Sequence, residues 1–223
     1  MRYEVKFALN LAEYNDFERW LAAKPFVRRD YPSRTVNSIY FDAPNLASAV
    51  DNIIGVPRRS KIRSRYYGNS VDRHDPSTLE AKNRIGRLGY KVRAGLNILV
   101  DELVSMPPEV ITQTFYQTPV AAFLSRGGII MPVLYVGYER AYFCGSQDIR
   151  VTIDKNLQFI DLLKRPSLEG RRQKWDDKII VEFKFPPSAK DHAAQIMMDL
   201  PSYPTRSSKY IAGLSYFGHV NHI

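Results

Sequence analysis

The chain is 223 residues long, 44% hydrophobic and 25% charged, which allows a packed core and excludes wholesale disorder. No apolar run approaches the roughly 20 residues needed to cross a bilayer, and a single cysteine, Cys144, rules out an intrachain disulfide or a cysteine-built zinc site. Lys and Arg total 32 against 23 Asp and Glu, a formal charge of +9 that favours an anionic partner.

Strand signals dominate the pass along the chain. Arg2-Tyr3-Glu4-Val5-Lys6-Phe7 alternates charged and apolar residues at period two. Asn10 can cap a helix from Leu11, with Tyr14, Phe17 and Leu21 near helical spacing. Val36 to Phe41 is β-branched and aromatic, and Asp42 can cap a short helix opened by Pro44. Arg59–Tyr67, Leu79–Arg84 and Leu88–Arg93 follow as strands, with Gly86 and Gly89 marking a hairpin between the last two. Pro107–Gln117 and Pro119–Ser125 read as helices entered by proline. Val133–Phe143, Ile149–Asp154 and Ile179–Phe185 are the remaining strands, and helices over Ser188–Leu200 and Ser207–Phe217 end the chain. No linker or low-complexity block interrupts residues 1–223, so a single domain is expected. About eight strands with peripheral helices predict an α+β fold built on an eight-stranded antiparallel β-barrel.

Residues two apart on a strand share a face. By that rule Arg59, Lys61, Arg63 and Arg65 fall together, as do Lys91 and Arg93, Tyr138 and Arg140, and Arg150, Thr152 and Asp154. Glu-apolar-Lys occurs three times, at Glu4–Lys6, Glu80–Lys82 and Glu182–Lys184. One such strand is how any half-exposed strand looks; cations on nearly every strand are not. Either these faces form one outer surface, whose apolar backs the few helices could cover only in part, or the sheet closes with the charged faces inside. A barrel of eight strands has a lumen wide enough for side chains or one small ligand. Like charges crowded there repel in a reduced dielectric, so such a lumen is reasonable only around a polyanion.

Several stretches in order resemble the VTC domain, the polyphosphate polymerase domain of the vacuolar transporter chaperone proteins and their bacterial relatives. They are Ser38-Ile39-Tyr40-Phe41-Asp42, Lys61-Ile62-Arg63-Ser64-Arg65-Tyr66-Tyr67-Gly68, Leu79-Glu80-Ala81-Lys82, Tyr138-Glu139-Arg140-Ala141-Tyr142-Phe143, Asp148 to Asp154, Val181-Glu182-Phe183-Lys184 and Ser207-Ser208-Lys209-Tyr210. The resemblance implies a triphosphate tunnel metalloenzyme related to the CYTH proteins, moving the γ-phosphate of ATP onto polyphosphate with divalent Mn or Mg. It implies that Arg63, Arg65, Arg140 and Arg150 act directly on the phosphates. Lys6, Lys82, Lys91, Arg93, Tyr138 and Lys184 would bind phosphate or nucleotide. From the end of the chain Arg206, Ser208 and Lys209 would join them, the last two closing one mouth. Glu182 would bind the metal, helped by Glu80 and Glu4. Arg2 stands where the superfamily often carries the first Glu of Glu-X-Glu-X-Lys, and Arg206 where the eukaryotic enzymes tend to carry Lys.

Arg suits this chemistry because its planar donors grip phosphate oxygens in pairs, and phosphoryl transfer asks mainly for positioning and charge stabilisation. Glu4 and Glu80 also have a plainer reading, neutralising cations across strands. His74, His192, His219 and His222 read as solvated surface residues, and Cys144 as a small buried one. Two other functions remain open: a metal-dependent triphosphatase and a non-catalytic polyanion-binding module. Specific nucleic-acid binding is not expected, since Arg58–Arg65 beside Tyr66 and Tyr67 lacks any accompanying recognition motif. One cysteine and no membrane segment fit a cytoplasmic protein, with the basic charge leaving room for docking on a membrane partner.

Overall fold

The computed structural model describes residues 1–24, 27–68, 77–124, 128–175 and 178–221. The order of elements is β1 (Tyr3–Leu9), α1 (Leu11–Ala22), β2 (Arg28–Asp42), α2 (Ala47–Ile54), β3 (Arg58–Tyr67), β4 (Thr78–Ile85), β5 (Leu88–Gly95), α3 (Val100–Ser105) and α4 (Pro108–Tyr116). After these come β6 (Met131–Cys144), β7 (Arg150–Asp161), β8 (Gln173–Trp175), β9 (Ile179–Phe185), α5 (Lys190–Met198) and α6 (Lys209–Tyr216). Eight strands form one antiparallel path, β1-β9-β7-β6-β2-β3-β4-β5, and β8 adds to β7 outside it. The path curls until its two edges meet. Arg2 and Gly89 form a single antiparallel bridge, each backbone N–H donating to the other's carbonyl at 3.1 Å. The expected α+β barrel is present, with β8 as an extra strand and a one-bridge seam in place of a continuous closing ladder.

The outward apolar faces are covered in two patches, and a third apolar cluster fills one end of the ring from inside. Against β1, β7 and β9 lie α1 and α5, contributing Tyr14, Phe17, Leu21, Ala193 and Ile196. Against β2 to β5 lie α3, α4 and the 3-10 turn Pro119–Phe123, through Val100, Leu103, Ile111, Phe115 and Val120. The third lies on the inward face, where Val36 and Tyr40 of β2 and Leu134 and Val136 of β6 meet Tyr210, Ile211 and Leu214 of α6, with Ala49 of α2 at its edge. The helices therefore suffice to cover the outward faces, because α3 adds to those read from sequence, and the helix expected at Pro119 is a 3-10 turn over Pro119–Phe123. The charged faces are left inside.

Local chemistry sets the helix starts. Asn10 accepts from Glu13 N–H while Glu13 accepts from Asn10 N–H, satisfying two amides that the first turn leaves without partners. Asp42 is not the N-cap residue of α2, which starts at Ala47 after Leu46. Its carboxylate still reaches that first turn, accepting from the N–H groups of Ser48 and Ala49 at 3.0 Å each. Tyr210 donates to the same carboxylate at 2.6 Å, tying α6 to the end of β2. Gly213 lets α6 sit this close, since a Cβ there would meet Leu134 Cδ2 at 2.6 Å.

Other expectations need correction. Cys144 ends β6 half-buried, with Arg28 Nε donating to its sulfur at 3.4 Å. His219 is not a solvated residue but sits 2.8 Å from Asp161, while His192 meets Ser146 at the surface. His74 and His222 lie outside the described residues. Among those described, no helix is long and apolar enough to cross a membrane.

Candidate functional site

The alternation of every strand in the ring puts its charged side chains around one cavity of about 650 Å³, capped by the start of α6. Register makes the arrangement expensive. Lys61 faces Lys82 across β3–β4, and Lys82 faces Lys91 across β4–β5, so three lysines stand in one row. Arg34 faces Arg140, and Arg150 faces Lys184. Like charges directly opposite destabilise a sheet, so these pairs are not there for folding.

Four carboxylates hold the cations in place. Glu80, almost wholly buried, accepts from Arg63 Nε and Nη2 at 2.9 and 2.6 Å and from Arg93 Nε at 2.8 Å, with Lys91 at 3.5 Å and Arg65 at 3.9 Å. Burial alone would raise its pKa, yet Arg63, Arg65 and Lys91 outweigh that and hold it below the usual range. Asp154 is fully buried and accepts from Arg140 at 2.6 and 2.7 Å and from Lys209 Nζ at 2.6 Å. Its burial is overcome by those two cations, which lower its pKa to about 2. Glu4 pairs with Lys82 at 2.8 Å. Glu182 pairs with Lys184 at 2.8 Å through Oε2, with Lys6 at 3.6 Å from Oε1.

Burial desolvates the lysines, whether or not a carboxylate holds them. Burial brings the Lys184 amine down to about 8, despite Glu182. Burial, then Lys6 and Lys82, push Lys61 well below the ordinary lysine value. Lys61 Nζ donates to Ser208 Oγ at 2.8 Å and Lys6 Nζ to the Ser207 carbonyl at 2.9 Å, so two lumen lysines reach the N-terminal end of α6. The preceding segment is clipped to β1, Thr205 N–H donating to the Lys6 carbonyl at 2.7 Å and Ala8 N–H to Thr205 Oγ1 at 3.0 Å.

The structure thus gathers nearly every residue singled out from sequence. Arg63, Arg65, Tyr138 and Arg140 form the middle of the wall, Arg65 donating to the Tyr138 hydroxyl at 3.1 Å. Lys6, Lys82, Glu4, Glu182 and Lys184 form the opposite side, and Ser208 and Lys209 the α6 end. Lys91, Arg93 and Arg150 stand at more open positions, Arg150 half exposed and 3.1 Å from Asp148. Arg206 is exposed and does not line the cavity; its charge acts on Arg59 instead. Glu80 lies behind the cations it orients, in the plainer role. Asp154, Lys61, Arg34 and Thr152 are the residues sequence reasoning left unassigned. Asp154 already shared a face with Arg150, but its partnership with Arg140 depends on the β6–β7 register, which one chain does not reveal.

Two buried oxygens in this wall have no hydrogen-bond partner: Glu182 Oε1 and Thr152 Oγ1. They belong to directly opposed residues on β9 and β7, and both residues line the cavity. Among the described residues no three His, Cys, Asp or Glu stand together as a metal cluster. The donor set is oxygen-based, one or two carboxylates beside a hydroxyl.

Solved structures similar to the chain over nearly its whole length include three that share its fold. HpAC1 from Hippeastrum, a candidate adenylyl cyclase described with a dominant triphosphatase activity, is 13% identical with a TM-score of 0.59, covering 97% of this chain and 96% of that one. PH1819 from Pyrococcus horikoshii is 14% identical with a TM-score of 0.53, covering 97% and 99%. A candidate adenylate cyclase from Vibrio parahaemolyticus is 10% identical with a TM-score of 0.50, covering 94% and 97%. No curated protein matches the sequence. The VTC domain model matches residues 1–217, which, with a basic lumen inside an antiparallel ring, means that the chain belongs to the VTC domain family and has the triphosphate tunnel fold.

Proposed function

We propose that the protein is a phosphotransferase that moves the γ-phosphate of ATP onto a polyphosphate chain held in its tunnel. The observation that carries this reading is the row Lys61–Lys82–Lys91, like charges in register facing one lumen, an arrangement relieved by a string of phosphates. Arg63 and Arg140, oriented by Glu80 and Asp154, present rigid donors to phosphate oxygens and need no reorganisation as charge develops. Lys6, Lys61 and Lys82 supply further positive charge toward the α6 end. The acceptor is itself an anion, so no side chain must remove its proton. Consistent with that, neither His192 nor His219 lines the cavity.

The family implies a divalent metal, and the residues fit one. Glu182 Oε1 is a buried carboxylate oxygen without a donor, Glu4 lies near enough to interact with its charge, and Mg or Mn needs only one or two carboxylates beside substrate oxygens. Glu182 would hold it, with Glu4 beside it. Bound there, the ion supplies charge stabilisation for phosphate oxygens.

A second reading, metal-dependent triphosphate hydrolysis, is favoured by the same Glu182 Oε1 and Thr152 Oγ1, which could orient a water. Incubation with ATP and Mn²⁺ separates the two. Long chains on a polyacrylamide gel with ADP support transfer; orthophosphate alone supports hydrolysis; tight triphosphate binding with neither product leaves a binding module.

A further inference from the structure

On the two strands that flank β2 the cations give way to aromatic rings at one end of the cavity. Along β3 the inward series runs Arg63, Arg65, Tyr67; along β6 it runs Tyr138, Arg140, Tyr142. Each tyrosine stands one pleat repeat, about 7 Å, beyond the arginine before it. Arg34 of β2 lies between them, its guanidinium 4.1 Å from the Tyr67 ring centroid and 5.0 Å from that of Tyr142. Its Nε donates to the Tyr142 hydroxyl at 2.9 Å. Tyr31 meets Tyr142 edge-on at 6.0 Å. All four residues line the cavity, at the end away from Ser208 and Lys209. Tyr31 and Tyr67 are 58% and 36% exposed, so these are not core rings.

We infer that this collar binds the base of a nucleoside triphosphate, and so makes the tunnel prefer nucleotides to inorganic triphosphate. This rests on the reading of the cavity as a triphosphate site. A nucleoside triphosphate carries a flat π-surface at one end and a row of anionic groups at the other. The wall offers the same two chemistries in the same order, separated by about the reach of a ribose. Bases stack on aromatic rings and on guanidinium planes alike, and Arg34 lies within cation–π distance of both Tyr67 and Tyr142. The inorganic ligand has nothing to place there. With the base at this mouth, the γ-phosphate points toward Lys61 and the start of α6.

The test is calorimetric titration of ATP and of tripolyphosphate, at one fixed Mg²⁺ concentration, into the intact protein and into Tyr67→Leu, Tyr142→Leu and Tyr67→Phe variants. Loss of one stacking ring should weaken ATP binding about ten-fold, while tripolyphosphate binding changes by less than about two-fold and Tyr67→Phe behaves as the parent. Retained tripolyphosphate binding also shows that each variant is folded. Equal weakening of both ligands, or no weakening of ATP, overturns the collar. A parent protein that binds tripolyphosphate but not ATP overturns the collar and leaves the triphosphate site standing. One that binds neither overturns both.

Discussion

Arg140 and Asp154 face each other across the β6–β7 ladder and are joined by two parallel hydrogen bonds, with Lys209 of α6 completing the cluster. Both are buried, so the pair couples the cavity wall to the fold itself. Asp154→Ala leaves two cations without their counter-charge and should cost about 3–5 kcal/mol of unfolding free energy, the usual result of breaking a buried pair. Denaturant melts would show it. The acid limb follows with its sign: the Asp154 pKa lies near 2, below the ordinary carboxylate value, so its stabilisation is complete above about pH 4 and is lost as pH falls toward 2.

Arg140→Ala and Arg150→Ala should separate. Both remove a charge from the cavity lining, and under the proposed phosphotransfer Arg140→Ala should lower kcat by roughly 10²-fold or more. Arg140→Ala also strips Asp154 of its bidentate partner and should lower the melting temperature. Arg150 is half exposed beside Asp148, so its loss should leave stability within about 0.5 kcal/mol of the parent. Steady-state rates and thermal melts on the two variants check this.

Lys61 stands among Lys6, Lys82 and Arg63 with its charge disfavoured. Lys61→Met removes repulsion and should raise the melting temperature of the ligand-free protein while weakening tripolyphosphate binding. A thermal-shift series with and without tripolyphosphate reads both effects.

Binding should also take up protons. The free Lys184 amine titrates at about 8, and an adjacent phosphate favours its charged form, raising that value. Affinity for tripolyphosphate should therefore fall as pH rises through 8. Calorimetry in buffers of different ionisation enthalpy should give net proton uptake on binding near that pH. For the free protein the sign is opposite: because the folded value lies below the unfolded one, this group makes stability rise between about pH 8 and 10.5.

Thr152→Val keeps the shape of the side chain and removes the hydroxyl opposite Glu182. If Thr152 Oγ1 helps hold a hydrated cation, Mn²⁺ should bind several-fold more weakly in the presence of tripolyphosphate, with Thr152→Ser restoring it. Electron paramagnetic resonance of Mn²⁺ gives the readout, and tripolyphosphate binding without metal should be unchanged.

Much of the ring was legible because period-two alternation is a local property. Arg63 and Arg65, Glu182 and Lys184 could be assigned to one face without knowing their neighbours. What the sequence hid depends on pairing. Asp154 became a site residue only through its register with Arg140, and Arg206 dropped out because the segment before α6 leaves its side chain outside. Helix α3 was missed since Val100, Leu103 and Val104 give too short an apolar pattern to stand out. The long start of β2, exposed from Arg28 to Arg34, lacks the buried face that marks a strand.

The bridge between Arg2 and Gly89 gives the wall one weak join. Every other neighbouring pair in the ring shares a ladder of several paired residues, whereas this one is held by two backbone hydrogen bonds, together worth about 1–3 kcal/mol. Losing those two bonds would open the ring there without melting any complete strand pair, so this join is the most easily parted in the barrel wall.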